Sequence, residues 1–228
     1  MSKTKIYLVR HGKTMFNTIG RAQGWSDTPL TVVGEEGIRE LGLGFKHENI
    51  IFNEAFSSDS GRTLQTMEII LKECQQTTIP YTKDKRIREW CFGNFDGGYD
   101  VDLFTHLLPR VFNCDVRELT YPELVEGIKE LDTTGWAESW EQLSTRILSG
   151  FRAIGEKIES EGGGNAVVVS HGLTIATFLW MIDANIPRSV LLENGSVSVL
   201  EFEKGHFSIK SVGDMSYREI GRKVLGSL

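Results

Sequence analysis

Two histidines in this chain of 228 residues stand in the same local setting. His11 lies in Arg10-His11-Gly12, directly after the apolar run Lys5 to Val9. His171 lies in Ser170-His171-Gly172, directly after Ala166 to Val169. A neutral imidazole can attack phosphorus and carry the phosphoryl group as a phosphoramidate. That step needs a fixed tautomer, an in-line approach and compensation of the charge on three equatorial oxygens. Arg10 offers a bidentate fork for two of those oxygens. Gly12 lets the backbone come close to an anion. Taken alone, the tripeptide reads more readily as a hydrogen-bonded structural histidine at a strand end.

The elements that must position these histidines are legible in outline. Both apolar runs are short and β-branched, as buried strands are. Strands of this kind belong to a largely parallel sheet covered on both faces, where ligands bind beyond the carboxyl ends of the strands. Two histidines at two such ends can meet in one crevice. Apolar spacing predicts helices over residues 31–45 and 60–74, the first weakened by four glycines. A third helix begins at Ser139, which forms a capping box with Gln142 and is followed by Ile147, Phe151, Ile154 and Ile158 on one face. The run from Glu161 to Asn165 stops it. A strand is expected at Ala55 to Ser57. Residues 196–203 and 206–212 flank Lys204-Gly205 and read as a hairpin. The resulting fold class is α/β, a three-layer α/β/α sandwich with a mostly parallel central sheet. A helical insertion of about residues 97–135 covers the active site, within a single domain spanning 1–228. The residues from about Gly221 onward read as loose.

Composition narrows the function. The apolar fraction is 40% and the charged fraction 25%, ordinary for a globular protein. The net charge of −6 argues against a nucleic-acid partner. An anionic metabolite stays open, because a few arginines can dominate the field inside a cleft. Cys74, Cys91 and Cys114 form no C-x-x-C pair, which suits a reduced, cytoplasmic setting. The most apolar stretch, Leu173 to Ile182, is about half a membrane span. No membrane partner is expected, and a homodimer is one option for the oligomeric state.

The longer string Leu8-Val9-Arg10-His11-Gly12-Lys13-Thr14-Met15-Phe16-Asn17 resembles the opening signature of the histidine phosphatase superfamily, the phosphoglycerate mutase-like family. Three further blocks are similar to that family in its order: Ser57 to Thr66, Ile87 to Gly97, and Val167 to Gly172. The resemblance implies His11 as the phosphorylated nucleophile. It implies that Arg10, Arg62 and His171 grip the phosphoryl oxygens, with Asn17, Gln23 and the Gly172 amide adding polar contacts. Glu89 would protonate the leaving oxygen and then take a proton from water. Its neighbours Trp90 and Phe92 would help keep it protonated. Neither a metal nor a cofactor is implied. Singly, Arg62 and Glu89 read as surface residues; together with the histidines they define one constellation. His47, His106 and His206 read as surface residues, Arg86 and Arg88 as a solvated basic cluster, and Cys91 as unreactive.

Three activities fit these residues. A phosphomonoesterase passes the phosphoryl group from His11 to water. A phosphoglycerate-type mutase passes it to a second hydroxyl. A non-catalytic module only binds phosphate, and would need neither His11 nor Glu89. The mutases of the family add adjacent arginines after the glutamate segment. Here residues 97–104 read GGYDVDLF, and Asp96, Asp100 and Asp102 would repel a second anion if they faced the cleft. Hydrolysis of a small phosphorylated metabolite is therefore the expected reaction.

Overall fold

The computed structural model describes residues 3–188 and 192–227. Six strands form one sheet: β1 (Thr4–Arg10), β2 (Glu54–Ser57), β3 (Tyr81–Lys83), β4 (Gly164–Ser170), β5 (Val197–Glu203) and β6 (His206–Asp214), in the order β3-β2-β4-β1-β5-β6. The first four run parallel, and β5 and β6 add an antiparallel hairpin beside β1. Lys204 and Gly205 turn this hairpin with φ of 51° and 81°. Positive values at both positions suit the right-handed twist of the flanking strands.

The helices are α1 (Met15–Ile19), α2 (Val32–His47), α3 (Gly61–Glu73), α4 (Leu108–Phe112), α5 (Tyr121–Leu131), α6 (Trp140–Ser160), α7 (Gly172–Ile182) and α8 (Ser216–Leu225). The strands alternate their apolar side chains between two cores. Ile6, Leu8, Ala166 and Val168 pack with Leu124, Phe151, Ile154 and Phe178 of α5, α6 and α7. Tyr7, Val9, Val167 and Val169 pack with Ile38, Leu41, Phe45, Met67 and Ile70 of α2 and α3. Full burial of each such side chain contributes about 1.5–3 kcal/mol, which makes the sheet a rigid base for the loops above it. The helix from Ser139 starts as its capping box predicts, with the Ser139 hydroxyl accepting from Gln142 N and the Gln142 carboxamide accepting from Ser139 N.

Two local expectations are corrected. The chain after Gly221 is not loose: α8 lies against α2, with Arg218 and Arg222 both paired to Glu40. Its anchor is a close backbone approach that only glycine permits. A Cβ on Gly221 would lie 1.7 Å from Glu40 O, and one on Gly44 would lie 1.9 Å from Tyr217 O. Two of the glycines that weakened the prediction for α2, Gly37 and Gly44, thus form the notch that receives α8. Arg86 and Arg88 are not free cations either, since they pair with Asp84 and Asp59 respectively.

Candidate active site

The carboxyl ends of three neighbouring strands build the site. Arg10 at the end of β1 stands in register with Ser170 at the end of β4, and His11 N donates to Ser170 O at 3.0 Å. On the other side of β4, Ser58 N donates to Val169 O. The two imidazoles, set by adjacent strands, lie with ring centroids 5.3 Å apart. Arg62 enters from the first turn of α3, which follows β2 directly. His11 is 3% exposed, His171 and Arg62 are 0% exposed, and Glu89 is 6% exposed, so the cluster is shielded from bulk water.

His11 Nδ1 lies 2.8 Å from Gly12 O. A carbonyl only accepts, so Nδ1 carries the proton and the Nε2 lone pair is left for attack. Burial, then the Arg62 and Arg10 guanidinium groups, hold the His11 pKa well below its ordinary value. The ring is neutral at pH 7, as a nucleophile must be. His171 is held neutral by burial and by Arg62. Its Nδ1 accepts from Arg62 Nε at 3.2 Å, so its Nε2 donates to Ser58 Oγ at 2.7 Å.

The guanidinium groups differ sharply. All five N–H bonds of Arg62 have protein acceptors: His171 Nδ1, Ser26 O, Asp27 Oδ1, Gln23 O and Gly24 O. Arg10 donates through one nitrogen to Leu192 O, and its buried Nε has no partner. That Nε lies 3.2 Å from where a Cβ on Gly172 would stand, so a side chain there would crowd the guanidinium. The Gly172 amide opens α7 and has no protein acceptor among the described residues. Arg10 Nε and Gly172 N–H are therefore uncommitted donors beside His11, at a helix amino end that favours anions.

Glu89 caps the same helix. Its Oε1 accepts from Trp90 N, Thr174 N and Thr174 Oγ1, and its Oε2 accepts from Leu173 N at 3.1 Å. The carboxylate thus meets N–H and O–H donors on both oxygens. Oε2, with a single partner, keeps room for a proton. The main chain of this segment is held by Arg146, which donates to the carbonyls of Arg86, Arg88 and Glu89.

Asn17 and Gln23 lie in the segment after His11 and brace it through their carboxamides. Gln23 Oε1 accepts from Thr14 Oγ1, and Gln23 Nε2 donates one of its two hydrogens to Thr28 Oγ1. Asn17 Oδ1 accepts from Thr14 N, completing the cap of α1, and from Asn194 Nδ2. Both residues shape the loop after His11. Several participants carried no sequence signal: Ser58, Arg146, Thr174 and Asn194, whose Nδ2 also donates to His11 O. Asp96 does not face the cleft as a free anion. It accepts from the amides of Gly24, Trp25 and Ser26, and so fixes the loop whose carbonyls hold Arg62. Asp102 pairs with His106 on the surface. Asp100 is within electrostatic reach of Arg10. Among the described residues no three His, Cys, Asp or Glu side chains are grouped to hold a metal, and no helix is long and apolar enough to cross a membrane.

Strand-end histidines, the buried Arg62, the part-buried Arg10 and a helix-capping glutamate meet on this α/β scaffold. The family model described as histidine phosphatase superfamily (branch 1) matches residues 6–215, and the chain belongs to that family. It is similar to the probable phosphoglycerate mutase GpmB of Salmonella choleraesuis (strain SC-B67), 29% identical over 221 residues, covering 93% of this chain and 94% of the relative. Its structure is similar to that of a phosphoglycerate mutase from Bacillus anthracis str. Sterne, with TM-score 0.91, 37% identity and 97% of each chain covered. Bacillus stearothermophilus YhfR follows with TM-score 0.74 and 27% identity, over 94% of this chain and 99% of the other.

Proposed function

We propose that the protein is a phosphomonoester hydrolase working through phosphohistidine on His11. The carrying observation is the Nδ1–H bond from His11 to Gly12 O, which leaves Nε2 as nucleophile and stabilises the ring when it becomes cationic. Nε2 attacks phosphorus as the bond to the leaving oxygen breaks. Glu89 gives that oxygen a proton from Oε2. Water then attacks the phosphohistidine, Glu89 takes its proton, and phosphate leaves with His11 restored. Arg10 and the Gly172 amide hold the equatorial oxygens, and Arg62 supplies positive potential from its fixed cradle. If Arg62 and His171 also bind phosphate directly, they must exchange the bond they share.

Water as the acceptor is favoured by the segment after Glu89. Residues 90–109 contain no lysine or arginine, so the adjacent arginines that the mutases of the family carry after the glutamate segment are missing from it. The mutase reading is favoured by the names of the two relatives above. One assay separates them. Steady phosphate release from glycerol 3-phosphate or an aryl phosphate, abolished by His11→Ala, is the expected result. Interconversion of 2- and 3-phosphoglycerate faster than phosphate release would make the mutase reading correct.

A further inference from the structure

We propose that Arg188 is a specificity-determining residue that binds a second anionic group, carried on the leaving alcohol of the substrate. The proposal rests on the hydrolase reading above. An in-line displacement puts the leaving group opposite His11 and beside the acid. Glu89 meets the amides of Leu173 and Thr174 at the amino end of α7. Gly172 and Leu173 of that same turn line a cleft of about 260 Å³, together with Arg10, Tyr121, Leu192 and Arg188. The cleft is therefore where the leaving group goes. Its size lies below the about 300–1,000 Å³ of pockets for drug-sized ligands, which fits a small metabolite.

The chemistry of the walls defines what the leaving group carries. Leu173 and Leu192 are apolar, Tyr121 adds a ring and a hydroxyl that meets Arg188, and among the described residues the charged groups lining the cleft are the two arginines. Arg10 belongs to the phosphoryl group. Arg188 is held in place by its bond to Val116 O at 3.2 Å and by lying over the Tyr121 ring, 5.2 Å from its centroid. Its Nε is buried without a partner, as is that of Arg10. A buried N–H left unpaired costs free energy, and an anionic oxygen of a ligand would satisfy it. The nearby Glu123 carboxylate does not fill this role, because it is spent on the Thr120 cap of α5. The two guanidinium groups that line this cleft, each with an unpaired Nε, fit a doubly anionic substrate, phosphate at Arg10 and a carboxylate or second phosphate at Arg188. This cation reaches the cleft from the chain after α7, not from the segment that follows Glu89.

The test uses two probes that differ only by a carboxylate in place of a hydroxymethyl group, 3-phosphoglycerate and glycerol 3-phosphate. Calorimetric binding is measured on the His11→Asn protein, with and without Arg188→Met. The expected result is a preference for 3-phosphoglycerate that falls by about 10- to 100-fold when Arg188 is removed, as for a hydrogen bond to a charged group. Arg188→Gln, a second variant in case the first does not fold, should lose the preference equally, and Arg188→Lys should retain part of it. A preference unaltered by these substitutions, or none in the parent, overturns the proposal. Turnover judges the hydrolase reading separately: persistent phosphate release by His11→Asn would sink that reading and leave the binding ratio to decide Arg188.

Discussion

At the scale of single residues, the division of labour around the phosphoryl site follows from which hydrogen-bonding groups are already spent. Burial first, and then Arg62 as a fixed positive charge with all five donors engaged, keep His11 and His171 unprotonated. Arg10 and the Gly172 amide keep donors in reserve. Glu89 has one oxygen crowded by three donors and one with a single partner. This asymmetry predicts that Glu89→Gln lowers kcat on alkyl phosphates by about 100-fold or more, the usual contribution of a general acid. With a good aryl leaving group, which departs without a proton, the loss should be far smaller. Equal losses on both, measured with a matched pair of esters, would mean that Glu89 only caps α7.

At the scale of elements, the site depends on loops pinned by groups far away in sequence. Asp96 orders the Gly24 to Ser26 amides, that loop holds Arg62, and Arg62 orients His171. Arg146 on α6 fixes the main chain of the Glu89 segment, and its guanidinium is itself held by Glu138. Elsewhere, α8 docks on α2 by backbone contact rather than by a large apolar face. Gly221→Ala places a Cβ where Glu40 O already stands. It should lower stability by about 1–3 kcal/mol through overpacking, seen as a lower thermal midpoint. Gly226→Ala in the same terminal region, whose Cβ would meet nothing nearer than 3.6 Å, is the control and should be close to neutral.

At the scale of the whole molecule, two neutral imidazoles locked inside the protein couple its stability to pH. Both have folded pKa values below the unfolded value of about 6.5. Between the two values the unfolded chain binds more protons, so stability is complete above about pH 6.5 and falls as the pH drops toward the folded values. Each unit of separation is worth about 1.4 kcal/mol per histidine. The paired carboxylates of Asp59 and Glu40 have lowered pKa values, so their contribution is lost only further into acid. Denaturant unfolding at pH 7.5 and 5.5 should therefore show a loss of stability that shrinks in His171→Asn. The same slope in wild type and variant would assign the effect elsewhere.

Much of this molecule is local in origin, and the local part was legible. Apolar runs at Lys5 to Val9 and Ala166 to Val169, the cap at Ser139 and the Lys204-Gly205 turn act over a few residues, so their types and spacing predict β1, β4, α6 and the hairpin. The ordered motifs around His11, Arg62, Glu89 and His171 likewise determined the family, because each is a short run of residue types that can be read without its partners in space. What only the tertiary structure decided is which donors remain free. The saturation of Arg62, the reserve on Arg10, the use of Asn17 and Gln23 as loop braces and the arrival of Arg188 in the cleft all depend on partners brought together by packing. The docking of α8 is of the same kind, since a glycine that looks like a helix breaker in sequence becomes a contact surface once another backbone lies against it. Hydrogen-bond saturation and backbone approach are properties of neighbours in space, and a linear pattern carries no record of them.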